Sequence, residues 1–197
     1  MTGIILAGGR NSRMGGTNKA FLEIDGTRII ERTVGLFKDI FQEVIIVAND
    51  PLSYLYLNTT IVTDIMPDKG ALGGLYTGLF WAPHPQAFVC ACDMPFLQED
   101  FINYMIGQAS PYEIVVPDGG DGLQPLHAIY AKSCLPAIKH NLEQGRPKIT
   151  AFYKGRRMLT IHKDVVNTFD PTHKMFMNVN TYEDLQNILP LCEAGLA

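Results

Sequence analysis

A three-layer α/β/α fold of the Rossmann-like kind, with a mostly parallel central sheet, is predicted by three observations. Short apolar runs alternate with amphipathic stretches in β-α-β order from the first residues to beyond the midpoint. Two of those runs, Ile4 to Ala7 and Phe88 to Cys92, carry no charge, as expected of central strands covered on both faces. A chain of 197 residues with 18% charged side chains lies below the roughly 25% of an ordinary globular chain, so it can bury a large core.

Taken in order, Gly3 to Ala7 reads as the first strand, interrupted by Gly8-Gly9. Ile29 to Ile40 has helical periodicity, and Val44 to Ala48 and Thr60 to Thr63 read as strands. The longest uncharged stretch runs between Lys69 and Asp93. Its glycines and the Pro83-His84-Pro85 breaker divide it into a helix over Leu72 to Trp81 and a strand over Ala87 to Ala91. It is therefore not the continuous span of about 20 apolar residues that a membrane helix requires. Gln98 to Ile106 reads as a helix and Glu113 to Val116 as a strand. The run Asp118-Gly119-Gly120-Asp121-Gly122 then makes a turn or substrate-facing loop before Gln124 to Tyr130, without the length or distal Glu of an EF-hand. A last helix is predicted over Thr181 to Leu189, with Thr181 and Asp184 as a capping-box-like pair. No repeat or linker divides the chain, so residues 1–197 read as a single domain.

Sixteen basic and twenty acidic residues leave a net charge of -4 without long runs of one sign. That excludes a general nucleic-acid or membrane-surface binder, since both need concentrated positive charge. Met1-Thr2-Gly3 leads straight into the first strand with no leader pattern, which predicts a cytoplasmic setting. Cys90, Cys92, Cys134 and Cys192 form no CxxC pair, and the first two share one face of a strand, as buried thiols would. The histidines have no HxxxH or HExxH spacing, and no G-x-S-x-G elbow is present.

In open α/β sheets ligands bind beyond the carboxyl ends of the strands, and the chemistry-bearing residues gather there. The segment from Leu6-Ala7-Gly8-Gly9 through Arg13 and Gly15-Gly16 to Lys19 follows the first strand. Its glycines let backbone N–H groups approach an anion closely, and its two basic side chains add mobile charge, so it reads as a phosphate loop. It is neither a Walker A loop nor a dinucleotide fingerprint. Asp93 ends an uncharged strand and is followed by Met94-Pro95, which places a carboxylate where Mg²⁺ could be held together with substrate phosphates. Asp64 closes another strand at the same edge, where a carboxylate can accept hydrogen bonds from a base such as guanine, with Asp68 as its nearest competitor.

The pattern Leu-Ala-Gly-Gly-x5-Gly-Gly-x2-Lys resembles the opening loop of nucleotidyltransferases. Together with Gly70-Ala71-Leu72-Gly73-Gly74-Leu75, Cys92-Asp93-Met94-Pro95, Gln124-Pro125-Leu126-His127 and Met177-Asn178-Val179-Asn180-Thr181, it resembles the molybdenum cofactor guanylyltransferase (MobA) family over nearly the whole chain. The resemblance implies a nucleotidyltransferase fold, an N-terminal part that binds GTP and a C-terminal part that binds molybdopterin. It implies Mg²⁺ as cofactor and transfer of GMP to the terminal phosphate of molybdopterin with release of pyrophosphate. It assigns nucleotide contacts to Leu6, Ala7, Gly8, Gly9, Lys19, Asp64 and Asp93, metal to Asp93 and Asn180, and catalysis to Lys19, Asp93 and Arg13, the last clamping the departing pyrophosphate. Transient contact with molybdenum-insertion proteins or molybdoenzymes also follows from it. The Asn that some relatives carry near position 47 is replaced by Val47 here, with Asn49 two residues on, and Gln124 to Leu126 falls near the expected pterin site. Two alternatives stand beside this reading: a cytidylyl- or sugar-phosphate nucleotidyltransferase of the same fold, and a catalytically silent nucleotide-binding regulator.

Overall fold

The computed structural model describes residues 1–8, 13–14, 17–172, 174–179 and 184, with only the backbone of 13, 14, 17 and 18. The elements run β1 (Thr2–Leu6), β2 (Arg13–Met14), β3 (Thr17–Asn18), β4 (Glu23–Ile24), β5 (Thr27–Arg28), α1 (Ile29–Ile40), β6 (Glu43–Val47), β7 (Thr60–Val62), α2 (Gly70–Trp81), β8 (Gln86–Ala91), α3 (Glu99–Gly107), β9 (Ile114–Pro117), β10 (His127–Ala131), α4 (Leu135–Glu143), β11 (Met158–Ile161) and α5 (Lys163–Phe169). The predicted elements are present with ends shifted by one or two residues; α2 starts two residues before the Leu72 expected from periodicity. The helix expected over 181–189 lies outside the described residues except for Asp184, as do Gly9 and Asn180.

Seven strands form the main sheet in the order β11-β9-β10-β8-β1-β6-β7. β1 pairs in parallel with β6 and β8, and β6 with β7, so the chain moves outward from β1, crosses back, and continues on the other side. That reversal is a topological switch point, and a crevice forms there at the carboxyl ends of β1 and β8. Among the described strands of this sheet, only β10 runs against its neighbours. The short glycine-rich connection from β9 permits just this, because a parallel return would need a crossover of a dozen or more residues.

Alternating strand residues divide the core into two layers, as a period of two demands. Ile5, Ile46, Phe88, Cys90, Val115 and Ile129 face α1, α3 and α5, while Ile4, Ile45, Val89, Ile114, Ala128 and Tyr130 face α2 and α4. α1 buries Ile29, Ile30, Thr33, Val34 and Phe37 along one stripe and leaves its other face polar. α2 buries Leu72, Leu75, Thr77 and Leu79, leaves Phe80 and Trp81 exposed, and meets the sheet through glycines. A Cβ at Gly78 would lie 2.6 Å from Ile4 Cγ2, and one at Gly74 3.4 Å from Leu6 Cδ2. Among the described residues no helix is long and apolar enough to cross a membrane.

Candidate active site at the topological switch point

Backbone pairing continues one residue past several strand ends and holds them flush. The Ala7 N–H donates to the Val47 carbonyl at 2.9 Å, Ala48 N–H to Val62 at 3.0 Å, and Cys92 N–H to Leu6 at 3.1 Å. β10 enters from the opposite direction, so it is the segment before it that reaches this edge. Its entry is pinned by the Ala91 N–H on the Leu126 carbonyl at 3.2 Å. A cavity of about 480 Å³ opens above these ends.

Leu6, Ala7, Gly8, Lys19, Asp64 and Asp93, five strand-end residues and the loop lysine, all line this cavity. The β2–β3 ribbon pairs Arg13 with Asn18, so the backbone of Arg13 is brought beside the residue that precedes Lys19. Gly9 and Asn180 are the two expected site residues outside the described chain.

Asp93 stands two residues past the end of β8 and is half-buried. Its Oδ1 is buried without a hydrogen-bond partner among the described residues, and its backbone carbonyl accepts the Val179 N–H at 2.8 Å. Burial raises its pKa above the usual carboxylate range, and the Lys19 ammonium opposes that shift. A carboxylate oxygen held away from water with no protein donor is suited to a cation or to a ligand donor. The neighbouring Cys92 lines the cavity too, but burial in the core pushes its thiol pKa up to about 12, so it is no nucleophile at neutral pH.

Asp64 is held differently. Its Oδ1 accepts the Thr77 hydroxyl at 2.7 Å and the Met66 N–H at 2.9 Å, so one oxygen is engaged by the protein. Asp68, the competitor, also lines the cavity and has a left-handed backbone with φ of 62°. The two carboxylates thus share the cavity, and only Asp64 is anchored by this hydroxyl.

Three further residues line the cavity: Asn49, raised by its place near Val47, Gln124 of the segment expected near the pterin, and Asn178 of the 177–181 motif. Asn49 lies just past β6, with its amide 3.5 Å from where a Gly8 Cβ would stand. It stands just past β6 as Gly8 stands past β1, so the strand-end rule reaches it as well. Asn178 lines the cavity, and Val179 beside it is buried against Ile24 and Ile29. Gln124 lines the cavity as well and donates to Asp121 Oδ1 at 3.2 Å, which ties the hairpin tip to the cavity rim.

His127 belongs to the core. It is fully buried between the rings of Phe88, Phe101 and Phe176, with centroids at 5.0, 5.7 and 5.2 Å. Neither ring nitrogen has a hydrogen-bond partner among the described residues, and burial lowers its pKa to about 3.

Residues 3–165 match the family model described as a MobA-like NTP transferase domain. A protein named molybdenum cofactor guanylyltransferase from Desulfosudis oleivorans is 41% identical over 99% of this chain and 97% of its own length. One named probable molybdenum cofactor guanylyltransferase from Pelotomaculum thermopropionicum is 38% identical over 93% of this chain and 89% of its own. In three dimensions the chain is similar to molybdopterin-guanine dinucleotide biosynthesis protein A from Archaeoglobus fulgidus, with a TM-score of 0.83 at 24% identity over 98% of this chain and 100% of that one. With a family model that spans most of its sequence, and relatives aligned almost from end to end, the chain belongs to the MobA-like NTP transferase family.

Proposed function

We propose that this protein transfers GMP from GTP to the terminal phosphate of molybdopterin, giving the guanine dinucleotide form of the cofactor and pyrophosphate. An oxygen of the acceptor phosphate bonds to the α-phosphorus of GTP while the bond from that phosphorus to the bridging oxygen breaks, and pyrophosphate leaves with the electron pair. The observation that carries the reading is Asp93, a half-buried carboxylate with one orphaned oxygen among the described residues, lining a cavity shared with Lys19, in a chain so closely related to proteins named for this reaction.

The parts divide by charge. Lys19 and the N–H groups of the Leu6–Gly9 loop neutralise the phosphates, Arg13 clamps the pyrophosphate, and Asp64 accepts hydrogen bonds from the base. Asp93 would hold Mg²⁺ together with substrate phosphates, with Asn180 as its expected protein companion. The unpartnered buried oxygen of Asp93 suits a hard cation of this kind. When bound, the ion would supply charge neutralisation on the reacting phosphates. The protein's share of the rate is positioning and electrostatics, with no covalent intermediate on the chain.

The N-terminal part of the single domain is read as the nucleotide half. The hairpin before β10 and the Asn178 segment are read as the acceptor half. The proposed setting is the cytoplasm, in keeping with the free buried thiols of Cys90, Cys92 and Cys134. The test is pyrophosphate release from each of the four nucleoside triphosphates with Mg²⁺ and molybdopterin present. Release with GTP is expected. Preference for CTP would overturn the base assignment, and GTP binding without release would make the protein a silent regulator.

A further inference from the structure

Asp64 can serve a nucleotide only if its carboxylate is held in one orientation, and the contacts around it show what holds it. Thr77 is fully buried on α2, on the side that meets the loop between β7 and that helix. Its hydroxyl accepts the Ile65 N–H at 3.1 Å and approaches Asp64 Oδ1 to 2.7 Å. A backbone N–H can only donate, so the single hydroxyl proton is directed to the carboxylate. Met66 N–H brings a second donor to the same Oδ1. Both donors engage one oxygen, which leaves Oδ2 for a ligand on the cavity wall.

The helix is shaped for this arrangement one turn earlier. Gly73 lies four residues before Thr77 on the same face. A Cβ there would stand 2.7 Å from the Met66 carbonyl oxygen and 3.3 Å from Asp64 Oδ2. The absent side chain at 73 lets the loop lie against the helix, and the hydroxyl at 77 fixes the carboxylate within it.

We infer that Thr77 is a positioning residue which, through Asp64, sets both the affinity for GTP and the preference for guanine over other bases. The inference rests on the proposed role of Asp64 in base recognition. Removal of the hydroxyl frees the carboxylate to rotate and leaves the Ile65 N–H without its partner, so the ligand must then order Asp64 as it binds.

Titration calorimetry with GTP and ATP tests it in Thr77→Val, Thr77→Ser, Asp64→Ala and the Asp64→Ala/Thr77→Val double variant, with thermal unfolding followed for each. Thr77→Val is expected to weaken GTP binding about tenfold, the scale of one hydrogen bond to a charged group, with ATP binding little changed. Thr77→Ser should bind like the wild type. The double variant should bind no worse than Asp64→Ala, because Thr77 acts through that carboxylate. A folded Thr77→Val protein with wild-type GTP affinity overturns the inference, as does an additive further loss in the double variant. If Thr77→Val does not fold, Thr77→Cys decides, since it keeps a side chain of similar size with a much weaker donor, and undiminished GTP affinity there counts as refutation. Asp64→Ala that binds GTP normally overturns the role of Asp64 itself. Loss in Asp64→Ala beside a normal Thr77→Val overturns only the role of Thr77.

Discussion

Asp93 Oδ1 and both ring nitrogens of His127 are buried atoms without hydrogen-bond partners among the described residues, yet the surroundings of the two side chains send them in opposite directions. Asp93 borders a cavity that Lys19 also lines, so a ligand there can meet its carboxylate. His127 is enclosed by three aromatic rings and has nothing to do but stay neutral. Asp93→Ala is therefore expected to lower the transfer rate by at least about a hundredfold. It should unfold at or above the wild-type temperature, because the burial that raises the Asp93 pKa makes its charged form costly to the fold. Steady-state kinetics and a melting curve check both halves, and full activity in the variant would remove Asp93 from the site. For His127 the sign follows from its pKa of about 3 in the folded chain against about 6.5 unfolded. As pH falls below about 6.5 the unfolded chain takes up the proton and the folded one does not. Stability then drops by about 1.4 kcal/mol per pH unit, levelling off near pH 3. Urea midpoints between pH 7 and 4 should fall more steeply for the wild type than for His127→Leu. Parallel slopes would show that the histidine is not held neutral.

Among the elements, α2 and α1 use glycine in contrasting ways. Gly78 lets α2 settle against β1, since an added Cβ would meet Ile4 Cγ2 at 2.6 Å, whereas a Cβ at Gly35 of α1 would meet nothing within 4 Å. Gly78→Ala is expected to destabilise by about 1–3 kcal/mol through overpacking. Gly35→Ala should stabilise by about 0.5–1 kcal/mol, because it lowers the entropy of the unfolded chain at an exposed helical position. Chemical denaturation of the two variants should therefore move the midpoint in opposite directions. From sequence alone the two glycines look alike, since what separates them is the distance to a strand more than seventy residues away. The uncharged runs that became β1 and β8 were plain in the sequence because burial on both faces leaves a compositional mark. β11 was not, being a four-residue strand with exposed Met158 and Thr160, and α5 is only seven residues long. Neither is long or patterned enough to declare itself without the sheet edge it joins.

At the scale of the whole molecule, the arrangement of strand ends made most of the candidate site legible. Ala7, Gly8, Asp64 and Asp93 stand just beyond parallel strands, and a reading that looks there finds them. The remainder depends on contacts between distant segments. Asn178 reaches the cavity because Val179 is tied to the Asp93 carbonyl, and Thr77 reaches Asp64 because α2 lies close over β1 and β6. Such pairings arise from the packing of layers and have no local signature in the sequence.

The single reversed strand, β10, has a consequence for how this surface can vary. A parallel strand offers the carboxyl edge only the loop that follows it, but a strand laid in the opposite sense offers the loop that precedes it. That loop is here one hairpin, closed at its base by the Gln124 N–H on the Pro117 carbonyl and by the Asp118–Leu123 bridge. A hairpin closed in this way can be lengthened, shortened or exchanged at its tip while the sheet register beneath it is kept. The hairpin tip over the Gln124 side of the cavity is therefore a replaceable part, while its base stays tied to the β8 strand end through Leu126.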